Sequence, residues 1–490
     1  MTRLRQTVFE RNVPARAVVD HALGAARHAV FWLDDVAERA GGPPLSAPVR
    51  ADIAVVGGGY TGLWSALRAK QRHPGARVVL VEGRSVGWAA SGRNGGFCGT
   101  RLTHGDGGGR PPDDPAILAR LGQENLAAIG SAVRDLDLDC QWERTGVIDL
   151  AIEPHQIDWL QDAAARATRT GVTHTFLDRA KLRAEIASPT YEAGLLRPDD
   201  AALVHPARLA TELARIATEL GVEIFQQTRV TGLTLAGRGA RDAVVLRTTS
   251  PVGEAAVLAD RVLLGTSAFP PLLRRYRRHT VHARDHVIAT EPLSAELLGA
   301  IGWHGRQGLV DLANRSHYYR LTGDHRIVFG GPDAGPPSGG PVRRAAEERP
   351  EPYRRLAEHL LTTFPQLEGI RLTHRWSGVV DVATRPGAFF GQAAGGRVQH
   401  AAGLAGRGVA GSHFAAQVML DRLDARDGSP ATERTALALV RRTPLPFPPE
   451  PIATLGIRAT RRALDQADHQ GGRRNPLLRS LDALGLGLDT

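Results

Sequence analysis

An α/β fold with two interleaved domains is what this sequence predicts, on three observations. The chain has 490 residues, too many for one simple hydrophobic core. Near residue 50 a buried-strand pattern, a glycine-rich turn, a helical pattern and a second strand follow one another, the order of a βαβ unit. Downstream, strand-type and helical runs keep alternating.

In order, residues 1–49 read as a helical segment and then a loop, with Gly41–Pro48 as a linker rich in Gly and Pro. Ile53–Val56 is a continuous β-prone run, short enough for a strand buried on both faces. Thr61–Arg72 has helical periodicity, and Arg77–Glu82 is a second buried strand. Helical patterns cover Pro115–Leu136, Gln156–Thr170, Pro206–Leu220 and Glu351–Phe364. Strand patterns cover Gly146–Ile152, Glu223–Phe225, Arg229–Leu235, Arg261–Leu264, Val287–Thr290, Tyr318–Leu321 and Arg326–Phe329. Val398–Ala402 leads into a last βα transition at Gly403–Gly411. The loop Gly330–Pro341 is predicted to be exposed and mobile. No repeat occurs at solenoid periods.

Composition narrows the function classes. The apolar fraction is 42%, and no apolar run is long enough to cross a bilayer. Met1–Arg16 has no hydrophobic segment of the secretory type, so a cytoplasmic location is expected. Cys98 and Cys140 have no metal or redox spacing and are expected to be free thiols. The histidines show no zinc-type pairing, so no metal is expected. A net charge of +10 raises the question of nucleic acid. The basic residues, with Lys only at Lys70 and Lys181, are scattered among acids, and a solvated surface is the preferred reading. Only Arg441–Arg479 is locally basic.

The chemistry is announced by Gly57-Gly58-Gly59-Tyr60-Thr61-Gly62, which contains G-x-G-x-x-G as Gly57, Gly59 and Gly62. The first glycine permits the tight turn, the second lets backbone amides reach a pyrophosphate, and the third lets helix and strand pack closely. Tyr60 and Thr61 open the helix, whose unpaired N–H groups face the phosphates. Glu82, followed by Gly83, closes the second strand where an acid grips the ribose hydroxyls, and an acid there disfavours a 2′-phosphate. This much fits NAD and FAD equally. The second glycine-rich segment, Gly87–Gly96, favours FAD: small residues allow close approach, and Ser91, Arg93 and Asn94 are donors beside Gly92, Gly95 and Gly96.

On these residues the run Ala51–Phe97 resembles the amino terminus of the D-amino-acid oxidase-like FAD oxidoreductases. Further matches are Phe31-Trp32-Leu33, Val204-His205-Pro206, Arg261–Phe269, Ala289–Leu293, Tyr318-Tyr319-Arg320, Arg326–Gly331, Arg375–Gly378 and Gly403–Val409. Within the superfamily the chain is most similar to the gamma-glutamylputrescine oxidase-like branch. The resemblance implies a Rossmann-like FAD-binding domain interleaved with an α+β substrate domain built on an antiparallel sheet. The expected FAD-binding segments are 50–104, 200–280 and 372–436, and the substrate-binding segments 105–199 and 281–371. Residues 1–49 form an N-terminal segment, and 437–490 a basic helical extension that covers the FAD domain or docks a partner.

The resemblance also implies roles. Val230 lies against the adenine end, Gly265-Thr266 closes a second approach to the cofactor, and Gly406-Arg407-Gly408-Val409 lies at the pyrimidine edge of the flavin. There Arg407 is a candidate catalytic cation, stabilising the charge of the reduced ring, where the branch often has His. No cysteine follows Cys140, and Gly87-Trp88 stands where some relatives carry a flavin-linked His, so non-covalent FAD is expected. No lysine follows Lys181, which leaves O₂ or another electron acceptor open. The implied reaction is hydride transfer from the amine-bearing carbon of a small amine or amino acid. A substrate carboxylate calls for an Arg, with Arg320, Arg326 and Arg375 as candidates, and Tyr318, Tyr319 and Trp376 are candidates for lining the pocket. The alternatives are oxidation of a C–O bond or of a biosynthetic intermediate and, third, an RNA-directed flavoprotein.

Overall fold

The computed structural model describes residues 5–36, 41–103, 113–235, 243–332, 347–385 and 387–486. Its first sheet has eight strands. The parallel centre runs Glu223–Phe225, Val78–Val81, Val49–Val56 and the carboxyl half of Gly253–Leu264, in register through Val81↔Phe225, Ile53↔Val78 and Leu264↔Val56. Val398–Ala402 lies parallel to the end of Gly253–Leu264, and the amino half of that strand continues an antiparallel meander with Val244–Ser250 and Arg229–Leu235.

The helix after the first strand, Tyr60–Arg72, buries Tyr60, Leu63, Trp64 and Leu67, a 3.6-residue stripe. That stripe packs in one core with helices Pro206–Glu219 and Gly408–Arg426. Pro206 at the first turn and the His205 Nδ1, which accepts the Arg208 N–H at 3.1 Å, start the second of these helices.

The second sheet has nine strands and is mostly antiparallel. Thr280–Thr290 pairs with Leu372–Ala383 on one side and Ile327–Pro332 on the other, followed by Tyr318–Leu321, Gly308–Asp311 and Val147–Ala151. Its two faces alternate strictly. Ile288, Tyr319 and Phe329 face the helix Pro350–Thr363, whereas Val287, Ala289, Val328 and Trp376 pack with Phe31 and Trp32 toward the first sheet. The interface between the sheets is therefore paved by the second set.

Several expected boundaries move. Leu372–Ala383 belongs to the second sheet, whereas the last FAD-binding piece was expected to start at 372. The helix Pro115–Asp135, expected on the substrate side, packs with the helices of the first sheet, and Asn125 Nδ2 donates to the Ala410 carbonyl at 3.0 Å. The N-terminal segment is no separate piece: Arg27–His28 pairs with Leu372–Ala383. Residues 333–341 of the loop read as mobile lie outside the described residues. Among the described residues no helix is long and apolar enough to cross a membrane, and no cluster of three His, Cys, Asp or Glu could hold a metal.

The C-terminal helix Ile452–His469 docks on the second sheet rather than over the nucleotide-binding one: Phe447, Ala453 and Ile457 pack on Val281, and Asn314 Nδ2 donates to Asp468 at 2.7 Å. Burial raises the Asp468 carboxyl to about 6 from 3.8. The Asp465 carbonyl, then Glu10, raise the His469 imidazole. Both groups hold their proton more tightly when docked. Stabilisation is therefore full at low pH and is lost as pH rises, through about 4 to 6 for Asp468 and above about 6.5 for His469. Hydrogen exchange of 452–469 is expected to be several-fold faster, after correction for intrinsic rates, at pH 8 than at pH 5.5. Equal protection at both would contradict this.

Candidate active site

The strand Val49–Val56 delivers the chain to Gly57, whose φ is 109°. A methyl group there would sit 2.7 Å from the Gly265 carbonyl oxygen, and one on Gly62 only 1.8 Å from that of Gly57. Ser91 Oγ accepts the Tyr60 N–H at 2.9 Å and leaves no room for a side chain on Gly59. Only glycines allow this turn, and it aims the amino end of the helix into a cleft of about 1830 Å³ lined by Gly57, Gly59, Tyr60 and Thr61. Ordinary small-ligand sites span roughly 300–1,000 Å³, so this volume suits an extended dinucleotide with a substrate beyond it.

Glu82 ends the neighbouring strand on the rim of the same cleft. Its carboxylate accepts the Gly58 N–H at 2.6 Å, the Arg84 N–H at 2.7 Å and the Trp88 indole N–H at 3.1 Å. A carboxylate has about four acceptor positions, so capacity remains for a ribose hydroxyl. Gly83, Val230, Gly265 and Thr266 line the same cavity.

The second glycine-rich segment is wired differently from its sequence reading. Ser91, Arg93 and Asn94 all line the cleft, and the Asn94 side chain also donates to the Ala90 and Ser91 carbonyls and accepts the Gly96 N–H. Arg93 donates to the Trp88 carbonyl at 2.8 Å and pairs with Glu347 at 2.7 Å. Gly92, Gly95 and Gly96 are packing positions: methyl groups on them would strike the Gly87 carbonyl, the Tyr318 ring and the Val204 carbonyl. Two buried indoles from the other half of the interface hold this segment. Trp32 Nε1 donates to the Asn94 carbonyl at 2.8 Å and Trp376 Nε1 to the Arg93 carbonyl at 2.9 Å.

Leu404, Ala405, Gly406, Gly408 and Val409 also line the cleft, with Gly406 at φ 82°. Arg407 does not. Its charge acts on Asp200, where burial raises the carboxyl while Arg101 and then Arg407 pull it back.

Two of the three candidate carboxylate-binding arginines are also elsewhere. Arg320 is fully buried, donates to the Val204 carbonyl at 2.7 Å and the Leu321 carbonyl at 3.1 Å, and burial pushes its guanidinium down to about 10. Arg326 pairs with Asp324 at 2.6 Å and donates to the Thr290 carbonyl. Tyr319 points into the opposite core, its hydroxyl 3.0 Å from that of Tyr191, and Tyr318 packs on Gly95 and Gly330. Neither tyrosine lines the cleft. Arg375 and Trp376 do, but from opposite faces of their strand: Trp376 packs toward the first sheet, whereas Arg375 pairs with Ile288 and lies beside Tyr353 on the side of the helix Pro350–Thr363. The Arg375 guanidinium lies 5.7 Å from the Tyr353 ring centre, its buried Nε has no hydrogen-bond partner, and it forms no ion pair among the described residues. Burial, then the Arg375 charge, lower the neighbouring His28.

Sequence reasoning missed the rim. Arg84, Arg229, Arg247, Arg274, Arg275 and Arg277 line the cleft, are exposed, and pair with no carboxylate among the described residues. Such a ring attracts an anion, and screening weakens it. FAD association with apoprotein is expected to slow about tenfold between low salt and 0.5 M salt. A rate independent of salt would remove steering by this rim.

Comparison with known proteins agrees with this geometry. The family model described as "FAD dependent oxidoreductase", DAO, matches residues 52–422. The chain is 27% identical over 391 residues to a probable oxidoreductase OrdL of Haemophilus influenzae, spanning 78% of this chain and 84% of that protein. It is 28% identical over 392 residues to the gamma-glutamylputrescine oxidoreductase of Escherichia coli, spanning 77% of this chain and 85% of that one. In fold it resembles glycine oxidase from Bacillus cereus, with a TM-score of 0.63 at 18% identity over 79% of this chain and 98% of that chain. With the family model spanning most of the chain and the glycine turn, acid and cleft in place, the protein belongs to the DAO family of FAD-dependent oxidoreductases.

Proposed function

We propose that the protein oxidises the C–N bond of a small amine or amino acid that carries a carboxylate, using non-covalently held FAD. The observation that carries this reading is Arg375, a cleft-lining cation whose buried Nε has no hydrogen-bond partner and which forms no ion pair among the described residues. Two relatives whose names specify amine or amino-acid oxidation, the gamma-glutamylputrescine oxidoreductase and glycine oxidase, support the C–N choice. Cys98 and Cys140 are buried and do not line the cleft, which supports non-covalent attachment.

In this reading the helix amino terminus at Tyr60 and Thr61 faces the pyrophosphate and Glu82 takes a ribose hydroxyl. Trp32 and Trp376 fix the 93–94 backbone, which would form part of the wall for the cofactor. Arg375 anchors the substrate carboxylate and so orients the amine-bearing C–H bond. Val30, Phe269 and Leu404 supply apolar wall that excludes water. FAD, when bound, accepts the hydride from that carbon; the nitrogen loses its proton, and the resulting imine is hydrolysed to a carbonyl and the released amine. The chain needs no strong base if the amine binds neutral. The electron acceptor is O₂ or another oxidant.

Anaerobic mixing of the holoenzyme with amines, amino acids and hydroxy acids tests this. Bleaching of the flavin by an amine with the matching carbonyl product supports C–N oxidation. Bleaching by hydroxy acids alone transfers the assignment to C–O oxidation, and reoxidation in air identifies an oxidase.

A further inference from the structure

We propose that Asp381 is the positioning residue that sets the two loops walling the redox end of the cleft. The inference rests on FAD occupying that cleft. The Gly57–Gly62 turn and Glu82 mark the place for the ADP half, and the ring of an extended dinucleotide would lie beyond it in the same cleft, which Arg93, Trp376 and Leu404 also line. Asp381 lines this cleft too, yet it comes from the second sheet, near the carboxyl end of Leu372–Ala383.

Its side chain is 1% exposed and reaches both loops of the first sheet. One carboxylate oxygen accepts the Gly403 N–H at 2.6 Å, and the other accepts the Ser267 hydroxyl at 2.9 Å. Its main-chain carbonyl accepts the Ala405 N–H at 3.1 Å. Those loops leave the neighbouring parallel strands Gly253–Leu264 and Val398–Ala402, paired at Leu264↔His400. Each holds a non-glycine residue in the left-handed region, Ser267 at φ 46° and Ala405 at φ 44°. Such backbone persists only where its surroundings hold it, and one buried side chain that accepts a hydrogen bond from each loop supplies that hold. The proposed reaction assigns Asp381 no proton transfer; each of its oxygens accepts a bond from one of the two loops. Its effect on the flavin is exerted through Ser267, Gly403 and Ala405.

Two substitutions separate placement from charge. In Asp381→Asn the amide oxygen still accepts from Gly403 and the NH₂ donates to Ser267 Oγ, so the loops stay in place without the charge. Asp381→Ala removes both bonds. FAD titration into apoprotein, with visible absorbance and circular dichroism of the bound flavin, reads the result. The expected outcome for Asp381→Ala is about a tenfold weaker FAD Kd and altered flavin dichroism, with Asp381→Asn within about threefold of wild type and of wild-type band shape. Wild-type affinity and spectrum in Asp381→Ala would overturn the proposal. So would an Asn variant as impaired as Ala, which would make charge the operative property. If Asp381→Ala does not fold by far-UV circular dichroism, Ser267→Ala decides. Removing one bond should weaken FAD about threefold and shift the dichroism, and no change in either overturns the proposal. Wild-type protein that takes up no FAD would instead remove the cofactor assignment itself.

Discussion

Gly62→Ala protein is expected to purify colourless, with FAD affinity at least about 100-fold weaker, about 2.7 kcal/mol. The added methyl would lie 1.8 Å from the Gly57 carbonyl oxygen. Neither partner can yield: Gly57 is held at φ 109° against Gly265, and the helix that begins at Tyr60 is buried between two others. Overpacking of this kind costs about 1–3 kcal/mol or more, so the apoprotein should also melt several degrees lower, by roughly 2–4 °C per kcal/mol. Gly75→Ala is the control, since nothing lies within 4 Å of a methyl group there. Flavin content after purification and a thermal melt check both. A yellow Gly62→Ala protein of wild-type stability would mean that the turn is built otherwise.

Arg375→Leu carries the second large effect. If Arg375 receives the substrate carboxylate, its loss removes a charge-assisted pair worth about 1.5–3 kcal/mol. kcat/KM should then fall roughly 10- to 100-fold for an amino acid, chiefly through KM, and hold steady for the amine lacking the carboxylate. Arg326→Lys should leave both unchanged, because Arg326 is engaged by Asp324 and Thr290 outside the cleft. Steady-state kinetics on the substrate pair checks this. An Arg326 effect with no Arg375 effect would move the carboxylate site.

What was legible in the sequence was what is local. Gly57, Gly59, Gly62 and Glu82 act within one βαβ unit, and their spacing alone specifies the turn, the helix and the rim acid. The faces of Tyr318, Tyr319 and Arg320 were harder, because alternation says which residues share a face but not what covers it. Arg320 shares a face with Tyr318, yet it lies beneath Gly96 and the Val204 carbonyl, out of reach of the cleft. Leu372–Ala383 escaped recognition because His374, Arg375, Ser377 and Asp381 interrupt its apolar pattern. Two of those four, Arg375 and Asp381, line the cleft. The helix Pro115–Asp135 read correctly as a helix, but its partner, Gly408–Arg426, lies nearly three hundred residues away. Asp381 left no local signal, since Ser267 and Gly403 meet it only in the folded chain.

The most direct test is the flavin content of the purified protein after acid precipitation. One FAD per chain, released into a yellow supernatant over a colourless pellet, is the predicted result. A chain that binds no FAD would contradict the cofactor assignment, and a pellet that stays yellow would contradict the non-covalent site.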